Sequence, residues 1–174
     1  MIVLVGGVAG CGKTTIGAAL AARLRWVYAD ADDFHPPENI AKMRDNIPLT
    51  DADREPWLAA ICAWMDESIE TETSAVVGCS ALKQHYRDEL LDGRPEARMV
   101  YLEISRDLAH RRLVDRHVHF FTVNLMDDQF EELEEPVESE QLIKVSAAET
   151  PDRIVTEIVD RLGLVASPPR PGGR

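Results

Sequence analysis

The stretch GGVAGCGKTT, Gly6 to Thr15, follows the apolar run MIVLV, Met1 to Val5, and its reading decides the fold. Gly-rich backbone loses more conformational freedom on folding than any other, so such a loop is kept where the main chain itself has work to do. Gly7, Gly10, Gly12, Lys13 and Thr14 fit the pattern G-x-x-x-x-G-K-[ST] of a phosphate-binding loop. Gly7, Val8, Ala9, Gly10, Cys11 and Gly12 are mostly small, which lets successive backbone N–H groups turn inward around the β-phosphate of a nucleotide. The helix expected from Lys13, Thr14 and Thr15 onward points its positive N-terminal end at the same anion. Lys13 then reaches the β- and γ-phosphates, and the Thr14 hydroxyl suits Mg²⁺. A loop of this kind, with a strand before it and a helix after it, predicts binding of a nucleoside triphosphate.

Outward from the loop, apolar β-like runs alternate with helical patterns. The predicted strands are Ile2–Val5, Trp26–Ala29, Ala75–Cys79, Met99–Glu103 and Leu142–Val145. Between them, Trp57, Leu58, Ile61, Trp64, Met65 and Ile69 recur on one helical face. Thr150 is placed to cap a last helix, with Pro151 at its first position and Ile154, Ile158 and Leu162 toward the core. This alternation predicts an α/β fold, a parallel five-stranded sheet covered by helices on both faces. At 174 residues the chain suits one domain, expected over residues 1–165, and the Pro/Gly-rich tail from 166 to 174 is expected to be mobile.

Composition narrows the function classes. A formal net charge of −12 argues against nucleic acid as the main partner and requires a local basic pocket for any anionic small molecule. No apolar run is long enough to cross a bilayer, and MIVLV lacks the flanks of a secretion signal. Cys11, Cys62 and Cys79 are odd in number and lack C-x-x-C spacing, which fits reduced thiols and a cytoplasmic location.

A second set of residues follows the second predicted strand. Asp30 and Asp32 form a D-x-D where parallel sheets place their ligands, at the carboxyl end of a strand. One carboxylate is positioned to accept a proton from a hydroxyl, the other to hold Mg²⁺ through water; a solvated acidic turn has the same pattern. Thr14 and Asp32 are the expected metal contacts, with Asp32 also the expected base. His35, Lys42, Arg44 and Arg54 follow as cations suited to an anionic acceptor, amid Pro36, Pro37, Pro48 and Pro56, which stiffen the segment. Trp57 reads as core rather than as a stacking platform.

Taken in order, GVAGCGKTT, DDFHP, NIAKM, PLTDADREPWL, CSALKQHYRDEL, VYLE, RLVDRHVHFF and QFEELEEP resemble the successive motifs of gluconate kinases. The resemblance runs from about Val3 to about Pro136. It implies a P-loop kinase with a mobile lid, here about residues 112–135, which transfers the γ-phosphate of ATP, with Mg²⁺, to the 6-hydroxyl of D-gluconate; such kinases are often dimeric. Lys83 and Arg87, four apart on a helix, have the spacing of a carboxylate clamp, and equally that of an ordinary exposed face. The resemblance places Arg112 and Arg116 in or beside the lid, where with Lys13 they would neutralise the transferring phosphoryl group. It also implies acceptor contacts from His119 and Gln129. The acidic run EELEEPVESE reads as a solvated face. Ala31, Asn46 and Val118 stand where the family commonly has glycine. A related kinase acting on shikimate or another sugar acid, and a nucleotide-binding regulator without turnover, are the competing readings.

Overall fold

A computed structural model of the chain describes residues 1–45, 47–115 and 120–167. The apolar runs form five parallel strands: β1 (Ile2–Gly6), β2 (Val27–Asp30), β3 (Ala75–Gly78), β4 (Ala97–Glu103) and β5 (Leu142–Ser146), in the spatial order β2-β3-β1-β4-β5. β1 is central, with Leu4 opposite both Val77 and Met99. Because successive side chains point to opposite faces, β1 serves two cores. Val3 and Val5 pack with Ile16, Leu20, Ile154 and Ile158, while Ile2 and Leu4 pack with Trp57, Leu58, Ile61, Met65 and Leu90. A strand apolar on both faces belongs in the middle of a helix-covered sheet, and that is where it lies.

The covering helices are α1 (Lys13–Leu24), α2 (Pro37–Arg44), α3 (Asp51–Glu70), α4 (Gln84–Leu91), α5 (Arg106–Asp115), α6 (Phe120–Glu132) and α7 (Pro151–Leu162). Every predicted strand lies within two residues of its observed bounds. Pro151 opens α7 as expected; Thr150 occupies the cap position with extended backbone, but its side chain makes no capping hydrogen bond. PLTDADREPWL is where the chain departs from a stiffened loop. Thr50 and Asp53 close a reciprocal capping box, and α3 runs straight through Pro56. The secured first turn and the buried Trp57, Leu58 and Ile61 offset the lost backbone bond at the proline. The expected tail is partly tied down, since the Ser167 N–H donates to the Leu24 carbonyl at 2.8 Å; residues 168–174 lie outside those described. No helix among the described residues is long and apolar enough to cross a membrane.

Candidate active site

The site is built at the carboxyl edge of the sheet, where the chain leaves β1, β2 and β3 within reach of one another. The loop after β1 turns on glycines that tolerate no side chain. Gly7 has φ +134, and a Cβ there would sit 2.8 Å from Cys11 Sγ and 2.9 Å from the Leu102 carbonyl. Gly10, at φ +83, would meet the Ala109 carbonyl at 2.8 Å. Cys11 is small as expected, and also buried beneath the loop, where desolvation pushes its thiol pKa up and leaves it inert. Lys13 folds back over the loop, its Nζ donating to the Gly7 and Val8 carbonyls at 2.9 and 3.1 Å. Thr14 and Thr15 begin α1 behind it.

The D-x-D motif lies beside Lys13 and Thr14, and the structure divides its two carboxylates. Asp30 ends β2 and caps a short 3₁₀ turn, Ala31–Phe34, by accepting the Asp32 N–H at 3.2 Å. The Thr14 hydroxyl donates to Asp30 Oδ2 at 3.4 Å, so the carboxylate brought to the predicted metal ligand is Asp30. This corrects the expectation that Asp32 stands with Thr14. Asp32 instead stays exposed on that turn, and partial desolvation of its carboxyl, reinforced by the charge of Asp30, raises its pKa above that of an ordinary aspartate. Ala31 needs no positive φ, so alanine suits the turn; its carbonyl accepts from Trp57 Nε1 at 2.7 Å. Trp57 is core, as read, and it also anchors this turn.

The acceptor side is lined by groups whose partners change their expected roles. His35 stacks on Trp57 with ring centroids 4.8 Å apart, and Asn39 Nδ2 approaches its Nδ1 at 3.3 Å. Burial lowers the His35 pKa, so it serves as a neutral hydrogen-bonding ring and not as the expected cation. Asn39 is itself buried and also donates to the Asp53 carbonyl at 2.7 Å, joining α2 to the start of α3. Lys42 pairs with Asp53 at 2.6 Å, and Lys83 with Asp51 at 2.5 Å. Arg44 is exposed on the last turn of α2. Arg54 is half-buried, with the Tyr86 hydroxyl at 3.2 Å, Glu132 at 3.3 Å and Asp51 at 3.8 Å.

Arg87 requires the plainest correction. It is 1% exposed, and its terminal nitrogens are spent on the carbonyls of Ala81, Leu82 and Glu134 and on Gln84 Oε1, at 2.6 to 3.0 Å. Ala81 has φ +40, a conformation that costs an alanine about 1 kcal/mol or more. Arg87 therefore braces the turn after β3 and cannot clamp a substrate carboxylate beside Lys83. The spacing could not reveal this, because helical spacing says which residues share a face and not whether that face is buried.

The acidic run from Glu131 to Glu140 is largely exposed, as read, yet several of its carboxylates have definite partners. Glu132 reaches Arg54, Glu134 accepts the Gln84 N–H at 2.5 Å, and Glu138 pairs with Arg161 at 2.6 Å. Gln129, expected on the acceptor, accepts the Ala9 N–H of the loop at 2.7 Å. Arg112 donates to the carbonyls of Cys11 and Ala147, at 3.3 and 2.7 Å, and so braces the loop against the turn after β5. Beside it a cleft of about 300 Å³ opens between Gly10–Gly12 and a wall of Arg112, Asp115, Glu149 and Pro151. No sequence signal pointed to Glu149 or Pro151 as walls of this cleft. Arg116, His119, Asn46 and Val118 lie outside the described residues.

Comparison with known proteins agrees with this geometry. The shikimate kinase family profile matches residues 9–163. A gluconokinase of Gluconobacter oxydans is 40% identical over 153 residues, covering 88% of this chain and 86% of that protein. A sugar kinase from a Janibacter species superposes with a TM-score of 0.87 at 37% identity, covering 95% of this chain and 98% of the other. The crystal structure of a gluconokinase from Sinorhizobium meliloti gives 0.81 at 38%, covering 92% and 90%. With a complete phosphate-binding loop, a D-x-D turn beside it and likeness of this extent, the chain belongs to the gluconokinase family of P-loop kinases.

Proposed function

We propose that this protein transfers the γ-phosphate of ATP to the 6-hydroxyl of D-gluconate. The observation that carries the reading is the D-x-D turn beside Lys13 and Thr14, in a chain about 40% identical to a gluconokinase. A phosphate loop alone says only that a nucleotide binds, whereas a carboxylate of raised pKa beside it supplies a proton acceptor for a hydroxyl.

In this reading the inward N–H groups of the loop and the N-terminus of α1 hold the phosphates, and Lys13 exchanges the Gly7 and Val8 carbonyls for phosphate oxygens. The cleft beside Arg112 takes the nucleoside, with the planar guanidinium and the Pro151 ring as flat walls. Thr14 and Asp30, both hard oxygen donors, would hold Mg²⁺, which when bound would neutralise charge on the transferring phosphate. Asp32, its pKa raised by partial desolvation and the charge of Asp30, orients the acceptor hydroxyl and takes its proton. His35 and Arg54 face the sugar acid, Arg54 releasing Glu132 to take the substrate carboxylate.

The discriminating experiment is a coupled ADP-release assay across gluconate, its epimers, shikimate and free sugars. Gluconate should give the highest kcat/KM by at least about tenfold, the discrimination that one or two charge-assisted contacts supply. ADP release that is indifferent to the acceptor would refute the assignment.

A further inference from the structure

Tyr28 of β2 fills the side-chain space of glycines on both α1 and β3. Its ring crosses from the edge strand to Gly17 of α1, where a Cβ would lie 2.7 Å from Tyr28 Cε2. Its hydroxyl ends against Gly78 of β3, where a Cβ would lie 3.0 Å away. Glycine is unfavourable inside a helix or a strand, so each position gives up local stability. Both concessions make space for the same phenol.

The hydroxyl has a definite partner there. It donates to Asp30 Oδ2 at 3.3 Å, the oxygen that Thr14 also approaches, while Asp30 Oδ1 accepts the Asp32 N–H. Three donors from β2, α1 and the following turn thus fix both oxygens of one carboxylate. A phenylalanine would fill the same volume, so the hydroxyl is an addition that packing does not demand.

We infer that Tyr28 is a positioning residue that holds Asp30 turned toward Thr14, and that Gly17 and Gly78 are glycines because the phenol occupies their side-chain space. The inference rests on the assignment of Thr14 and Asp30 to Mg²⁺. Groups that orient a metal's ligand change metal affinity without touching the metal.

Calorimetric titration of the whole protein with a non-hydrolysable ATP analogue, with and without Mg²⁺, tests it. In the wild type Mg²⁺ should tighten binding. Tyr28→Phe should cut that gain by about three- to tenfold, while metal-free affinity stays within about twofold. Gly78→Ala should produce the same defect with the hydroxyl still present, because the new methyl pushes it off Asp30. A full Mg²⁺-dependent gain in both variants would overturn the inference. So would equal losses with and without the metal, which would mark Tyr28 as ordinary packing. No Mg²⁺ effect in the wild type would instead overturn the metal assignment beneath it.

Discussion

Arg54 and Arg87 carry the same guanidinium into surroundings that give it different work. Arg87 is sealed in and holds three backbone carbonyls, one of them at the strained Ala81. Truncation leaves those acceptors unpaired, so Arg87→Ala should cost about 2–4 kcal/mol of unfolding free energy in denaturant titration. Arg54 stays open to exchange on the acceptor side, so Arg54→Ala should cost less than about 1 kcal/mol and raise the gluconate KM at least about tenfold. A stable Arg87→Ala with a raised KM would return Arg87 to the substrate. The phosphate loop, by contrast, was legible in the sequence, because its chemistry is local: spacing, small residues and a following helix suffice. Roles set by burial were not. His35 reads as a cation until Trp57 and Asn39 surround it, and the two aspartates of D-x-D are indistinguishable until the fold brings one to Thr14.

At the scale of elements, the strands were legible because parallel strands in a helix-covered sheet are short, apolar and widely spaced. The start of α3 was not, since Pro48 and Pro56 resemble loop punctuation and the Thr50–Asp53 box becomes visible only once Thr50 is known to be a cap. The acidic run after Gln129 is exposed as read, but its pairings were not legible, because charge in sequence carries no information about its partner across 78 residues. α6 in fact touches both halves of the site, with Gln129 on the loop and Glu132, one turn on, at Arg54. Arg106 holds the helix to α5 through Asp127 at 3.3 Å and the Phe130 ring at 5.2 Å. If Glu132 occupies Arg54 in competition with the substrate carboxylate, Glu132→Gln should lower the gluconate KM by about three- to fivefold, the value of a half-exposed pair. A raised KM in steady-state kinetics would make Glu132 a contributor to acceptor binding instead.

For the whole molecule, an excess of acidic residues makes pairing at the mouth of the site a condition of stability. Lys83 and Tyr86 hold the pKa of Asp51 down to about 2, and Lys42 with Thr50 does the same for Asp53. Both are depressed from an ordinary value of about 3.9, so their stabilisation is complete above pH ~4 and is lost as pH falls toward 2. The fall in melting temperature across that window should therefore be shallower in Asp51→Asn/Asp53→Asn than in the wild type, and identical slopes would contradict the pairing. The central claim, transfer to one hydroxyl of a sugar acid, is tested most directly at the product. Proton-coupled ³¹P NMR of the reaction of ATP, Mg²⁺ and D-gluconate should show one new phosphate ester for each ADP, split into a triplet by the two protons of C6. A doublet, which marks a secondary hydroxyl, or inorganic phosphate alone, would contradict it.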